Sequence, residues 1–234
     1  MLTQKIIADF ESRKNPAKAS HLMRFFRTGK GQYGEGDLFL GLTVPQARAV
    51  VGRYWQEITL TQIKTLLQNP YHEIRLCALL MLVKKFEAGD EKQKKQVFDF
   101  YVKNLRRANN WDLVDLSAYK IAGAWLHGKD QKPLYTLAAS ANLWEQRAAI
   151  VATMYGVKKR YFKTTLDLAQ KFIAHEHDLI HKAAGWLLRE TGKKDVAALH
   201  AFLGKHCRKM PRVMLRYAVE KLSAHEKARY MKKA

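Results

Sequence analysis

Glu73-Ile74-Arg75-Leu76-Cys77-Ala78-Leu79-Leu80-Met81-Leu82-Val83-Lys84-Lys85-Phe86 decides the fold class. Ile74, Cys77, Ala78, Leu80, Met81, Leu82 and Phe86 recur at helical spacing and fill one broad apolar face. Glu73, Arg75, Lys84 and Lys85 lie elsewhere on the cylinder. No stretch of the chain shows the apolar/polar alternation bounded by turns that a strand requires. Helix punctuation is frequent: Thr43-Val44-Pro45, Asn69-Pro70, Gly89-Asp90, Gly128, Pro133, Ser140-Ala141-Asn142, Gly192 and Met210-Pro211. About a dozen helices of roughly 10 to 16 residues are predicted.

The first four residues of one helical motif, Arg75-Leu76-Cys77-Ala78, have counterparts downstream. These are Asp115-Leu116-Ser117-Ala118, Arg147-Ala148-Ala149-Ile150, Lys182-Ala183-Ala184-Gly185 and Arg216-Tyr217-Ala218-Val219. Successive charged positions are 40, 32, 35 and 34 residues apart, a period that suits two-helix HEAT-like units. Such a unit cannot bury its apolar face alone, so units stack into a solenoid whose second helices line one concave surface. The expected architecture is therefore an all-α, HEAT-like repeat solenoid forming a single domain over residues 1–234. Its repeated charged positions form a ladder in which Asp115 is the single acidic rung. For Arg75 and Arg216 the alternative is an ordinary polar contact between neighbouring repeats.

The charge balance says what the concave surface meets. Lys and Arg total 42 against 21 Asp and Glu, for a formal net charge of +21. Such an excess points to a polyanion: DNA, RNA or an anionic membrane surface. No apolar run approaches the ~18 residues of a membrane span. The start, Met1-Leu2-Thr3-Gln4-Lys5, leads into Asp9 and Glu11 with no secretory apolar region. Cys77 and Cys207 are far apart, which suggests neither a disulfide framework nor a zinc site. With 47% hydrophobic residues, a sizeable core is expected. A cytoplasmic, nucleic-acid-facing protein follows.

Asn109-Asn110-Trp111-Asp112-Leu113-Val114-Asp115 sets an indole and a carboxylate four residues apart on one helical face. A carboxylate in so cationic a protein is not there to bind an anionic partner, so it is a candidate for chemistry on that partner. Trp111 and Trp186 stand beside the ladder and can stack on a base or face a cation. Trp144, at the start of a helix, reads as core. Arg106, Arg107, Lys158, Lys159 and the Lys193-Lys194 pair lie near helix ends and suit phosphate contacts; plain solvation is the alternative. His177 and His181 have metal-ligand spacing with His175 nearby, but no further ligand is evident and no metal is assigned. The glycines between Gly29 and Gly36 match no nucleotide-binding fingerprint, since no strand precedes them. Lys227 to Ala234 reads as a frayed basic helix end.

Three blocks carry a resemblance: Asn110-Trp111-Asp112-Leu113-Val114-Asp115, Trp144-Glu145-Gln146-Arg147-Ala148-Ala149, and Lys182-Ala183-Ala184-Gly185-Trp186-Leu187-Leu188-Arg189-Glu190. With the segment from Tyr33 to Pro45, they resemble the AlkD-type DNA alkylation-repair glycosylases over nearly the whole chain. The resemblance implies a HEAT-like solenoid that wraps duplex DNA as a monomer and needs no cofactor. It implies hydrolysis of the N-glycosidic bond of cationic N3- and N7-alkylated purines. Trp111, Asp115 and Trp186 match the family's catalytic cleft, and Arg147 matches its arginine beside the DNA backbone. Lys182, Arg75 and Arg216 join the DNA-binding set as further rungs. The stretch from Gly29 to Asp37 is longer than the family's pattern. Charge and repeats alone also fit a non-catalytic HEAT-like protein that binds duplex or damaged DNA, or a scaffold for an acidic protein.

Overall fold

The computed structural model describes residues 1–232; Lys233 and Ala234, the end of the tail expected to fray, lie outside the described residues. The chain forms two compact units, Met1–Ser117 and the remainder from Ala118. Among the described residues both are built from helices without a strand, so the all-α expectation holds. Leu38 and Tyr71 form one isolated parallel bridge. No described helix is long and apolar enough to cross a membrane.

The first unit contains α1 (Leu2–Glu11), α2 (Pro16–Phe25), α3 (Val44–Tyr54), α4 (Leu60–Leu67), α5 (His72–Ala88), α6 (Glu91–Lys103) and α7 (Trp111–Ala118), whose end marks the unit boundary. A 3-10 turn, Leu105–Arg107, precedes α7. Three starts are reciprocal capping boxes: Thr43 with Gln46, Thr59 with Gln62, and Asp90 with Gln93. Each satisfies orphan N–H groups, worth about 1 kcal/mol. Helix α5 is the hub, packed by α3, α4 and α6. It is buried all the way round from His72 to Val83, not on one face. Glu73 and Arg75, which lie off the expected apolar face, are thus buried as well. The Glu73 carboxylate accepts the backbone N–H groups of Leu40 (3.0 Å), Gly41 (2.8 Å) and Leu42 (3.2 Å), fastening the segment before α3 onto the hub.

The second unit continues α7 through a π-helical turn, Tyr119–Gly123, into α8 (Ala124–Leu126). There follow α9 (Lys132–Ala138), α10 (Leu143–Ala152), α11 (Met154–Lys158), α12 (Lys163–Lys171), α13 (Asp178–Lys194), α14 (Val196–His206), α15 (Arg212–Ala218) and α16 (Ala224–Met231). Helix α10 packs on α9 and α13, and α13 packs on α12, α14 and α15. The repeated second helices α10, α13 and α15 thus lie in succession. Several helices are shorter than expected, because the π turn and Thr153 each interrupt a longer run. Gly192, expected to end a helix, lies inside α13. A Cβ there would run into the Leu199 side chain, so the glycine permits close packing of α14.

Candidate active site

The ladder positions share one register. Asp115, Arg147, Lys182 and Arg216 are each the fifth residue of their helix, and Arg75 is the fourth of α5. Their surroundings differ. Arg75 and Arg147 are buried, Asp115 and Lys182 are half-buried, and Arg216 is exposed.

Trp111 opens α7, its backbone N–H held at 2.8 Å by the Asn110 side-chain oxygen. Its half-buried ring lies on a stack of aromatics. Phe26 stacks beneath it at 5.1 Å between ring centres, and Phe39 stacks on Phe26 at 5.1 Å. The His72 imidazole stacks on Phe39 at 4.6 Å. Phe25, 57% exposed, meets the Trp111 ring edge-on at 5.8 Å. One turn along α7, Asp115 is close enough to the buried Tyr101 to influence it. Burial first, and the charge of Asp115 as well, push the Tyr101 hydroxyl upward, and its oxygen lies 2.9 Å from Ser117 Oγ.

Under this stack sits a buried ionic cluster. His72 Nε2 lies 2.9 Å from Asp112 Oδ2, and Nδ1 lies 3.2 Å from Asp37 Oδ2. Arg75 donates to Asp37 Oδ1 at 2.6 Å and to the Asn69 and Pro70 carbonyls at 2.9 Å each. Asn109 donates to Asp37 Oδ1 at 3.0 Å. Burial disfavours the charged imidazole, but the charge and hydrogen bond of Asp112 and the bond to Asp37 outweigh it, raising His72 to about 9. Burial likewise opposes ionisation of Asp37. The hydrogen bond from His72 and the charges of Arg75 and His72 hold that carboxyl below its ordinary value. Arg75 is therefore an internal counter-ion, which corrects its assignment as a DNA contact. Its side chain is 5% exposed and already committed to Asp37.

In the second unit Arg147 donates to the Leu179 carbonyl, tying α10 to the first turn of α13. Trp186 is half-buried one turn after Lys182. Beside it, a Cβ on Gly185 would strike the Met214 carbonyl and Tyr217, so glycine lets α15 approach α13 here. Trp144 is core, as expected. His177 caps α13 by accepting from Leu179 N–H at 3.1 Å, and His175 lies 2.9 Å from Gln146. Both have a helical role. Arg106 and Arg107 are exposed just before α7, and Lys158 and Lys159 are exposed at the end of α11. Lys158 Nζ lies 4.3 Å from the centre of the Tyr119 ring.

His72, Asp37, Asp112, Phe25, Phe26 and Phe39 were not singled out from the sequence. Asp112 sat inside the quoted tryptophan motif, and Asp37 closes the glycine-rich stretch. His72 lies three residues before a ladder rung. His72 acquires its meaning through Asp37 and Asp112, which lie 35 and 40 residues from it in the sequence.

No curated protein matches the chain. A solved structure described as "Predicted DNA alkylation repair enzyme from Enterococcus faecalis" superposes with a TM-score of 0.70 at 18% identity, covering 90% of this chain and 97% of that one. At that identity the likeness is one of fold. Residues 6–222 match the family described as DNA alkylation repair enzyme. With a match over nearly its whole length, the chain belongs to the DNA alkylation repair enzyme family.

Proposed function

We propose that this protein is a monofunctional DNA glycosylase that hydrolyses the N-glycosidic bond of cationic N3- and N7-alkylated purines in duplex DNA. The observation that carries the reading is the α7 helix. Its two acids are divided: Asp112 turns inward onto His72, while Asp115 lies half-buried one turn after Trp111. In a chain of net charge +21, an acid beside that indole suits chemistry and not polyanion binding.

An N7- or N3-alkylated purine already carries positive charge and leaves readily. The protein need not protonate it. It has to stabilise the sugar as positive charge develops there, and to place a water. A single carboxylate near C1′ can do both, as an electrostatic stabiliser and as a general base. The faces of Trp111 and Trp186 are proposed to hold the cationic base or sugar, worth ~0.5–2 kcal/mol each depending on desolvation. Arg147, buried and bonded to the Leu179 carbonyl, is proposed to lie beside a flanking phosphate and to add positive charge there. The exposed Arg106, Arg107, Lys158, Lys159 and Arg216, with Lys182, are proposed to meet the duplex backbone. No cofactor enters this chemistry, and the protein is proposed to act as a monomer in the cytoplasm.

The test is release of free base from matched duplexes. N7-methylguanine and N3-methyladenine should be excised while neutral hypoxanthine and uracil persist. Equal excision of uracil would sink the mechanism. Binding without release of any base would leave a non-catalytic DNA-binding protein.

A further inference from the structure

We infer that His72 is a positioning residue for Trp111: with Asp37 and Asp112 it forms a buried bridge that ties the glycine-rich stretch to the first turn of α7 and sets the indole on its aromatic stack. As a role in excision this rests on the glycosylase reading; as a device that sets Trp111 it does not.

The bridge joins three separate parts of the first unit. Asp37 closes the stretch from Gly29, His72 opens α5, and Asp112 follows Trp111 in α7. The imidazole reaches both carboxylates through its two nitrogens, at 3.2 and 2.9 Å, so only the doubly protonated ring can donate to both. The same ring stacks on Phe39 and Phe26, and Phe26 supports Trp111. His72 thus touches the α7 start through a hydrogen bond and the indole through a packed ring. Asn109 and Asn110 add a second tether, donating to Asp37 at 3.0 and 3.5 Å.

Energetics favour position over stability as the purpose of the bridge. A buried ionic group is seldom better than apolar packing of the same volume. This one is also incompletely satisfied. Arg75 Nε, Asp112 Oδ1 and Asn109 Oδ1 are buried with no hydrogen-bond partner among the described residues. What such a cluster does supply is one geometry, because ion pairs and bidentate bonds tolerate little displacement. The glycine-rich stretch gains a role: it delivers Asp37 to the bridge. Gly34 is buried, and a Cβ there would run into the Phe26 carbonyl, so the chain passes close under the stack.

The groups facing His72 are Asp37 from the glycine-rich stretch, Asp112 from α7 and Arg75 from its own helix, with Arg107 acting on Arg75 from the turn before α7. Deprotonation leaves two carboxylates on a ring that can donate to only one.

The experiment labels the five tryptophans with 5-fluorotryptophan and assigns Trp111 by Trp111→Phe. In His72→Gln, folded as judged by circular dichroism, the Trp111 fluorine resonance should shift or broaden while that of Trp144, in the second unit, stays put. Single-turnover release of N7-methylguanine should fall about 10-fold, the scale of a small misplacement, with duplex affinity within about 2-fold. If that variant does not fold, titration of the wild-type protein decides: the Trp111 resonance should move with a midpoint near pH 9. An unmoved Trp111 resonance in folded His72→Gln, or a flat one from pH 6 to 10 in the wild type, overturns the inference. Absence of base release by the wild type would overturn the glycosylase reading, and the fluorine measurements would still decide the role of His72.

Discussion

His72 Nε2 lies 2.9 Å from the carboxylate of Asp112, the residue that follows Trp111. This bond connects the hub helix α5 to the start of α7, and it divides the work of two acids three residues apart. Asp112 is structural, half of a buried ion pair. Asp115, one turn past the indole, is the acid proposed for chemistry.

The bridge should make stability depend on pH in a defined window. His72 has a folded-state value raised to about 9 from 6.5. Its contribution is therefore fully present below about pH 6.5 and is lost as pH rises through about 9. The free energy of unfolding should fall across that window by on the order of 1–3 kcal/mol more in the wild type than in His72→Gln. Asp37, held below its ordinary value, has the opposite sign: its contribution is present above the unfolded carboxylate range and is lost in acid. Denaturant melts at intervals from pH 6 to 10 check the first claim; parallel curves for the two proteins would refute it.

Much of this was legible in the sequence, for a physical reason. Each repeat is one structural unit, so the charged residue at the head of each repeated motif was expected at a matching helix position. It falls there at Asp115, Arg147, Lys182 and Arg216. Burial of the rungs was not legible. Arg75 and Arg216 look alike in sequence, but Asp37 lies 38 residues from Arg75 and draws its guanidinium inward, while Arg216 remains exposed. Nor was the role of the glycine-rich stretch legible, since it depends on Asp37 meeting partners on α5 and beside α7. The π-helical turn at Tyr119–Gly123 ends on Gly123, where a Cβ would strike the Ala152 carbonyl, a close approach that a lone glycine in the sequence does not announce.

Salt should weaken duplex binding steeply. Arg106, Arg107, Lys158, Lys159 and Arg216 are exposed, and each neutralised phosphate contributes roughly −0.9 to the slope of log K against log salt. Charge removal at any of these should lower the slope by about that amount, with little change in lesion preference. Arg75, being internal, should affect folding instead. A slope near zero in a fluorescence titration would contradict the duplex-binding model.

Removing an indole should slow excision without abolishing it. A cation–π contact is worth ~0.5–2 kcal/mol, so Trp111→Ala and Trp186→Ala should each reduce single-turnover release by roughly 2- to 30-fold. Trp111→Ala also uncovers Phe26 and should lower thermal stability, whereas Trp111→Phe should restore both in part. Loss of release by several orders of magnitude in the folded Trp186→Ala variant would show a role for that indole beyond stacking.

The central claim is that Asp115 acts on the lesion and does not serve to bind DNA. It is tested by comparing the wild type with Asp115→Asn on one N7-methylguanine duplex, measuring affinity and single-turnover base release together. Affinity should stay equal or rise slightly, since a negative charge near phosphates is lost. Release should fall on the order of 10²-fold or more, as expected when an electrostatic stabiliser is removed. Near-normal release by the folded variant would remove Asp115 from the mechanism.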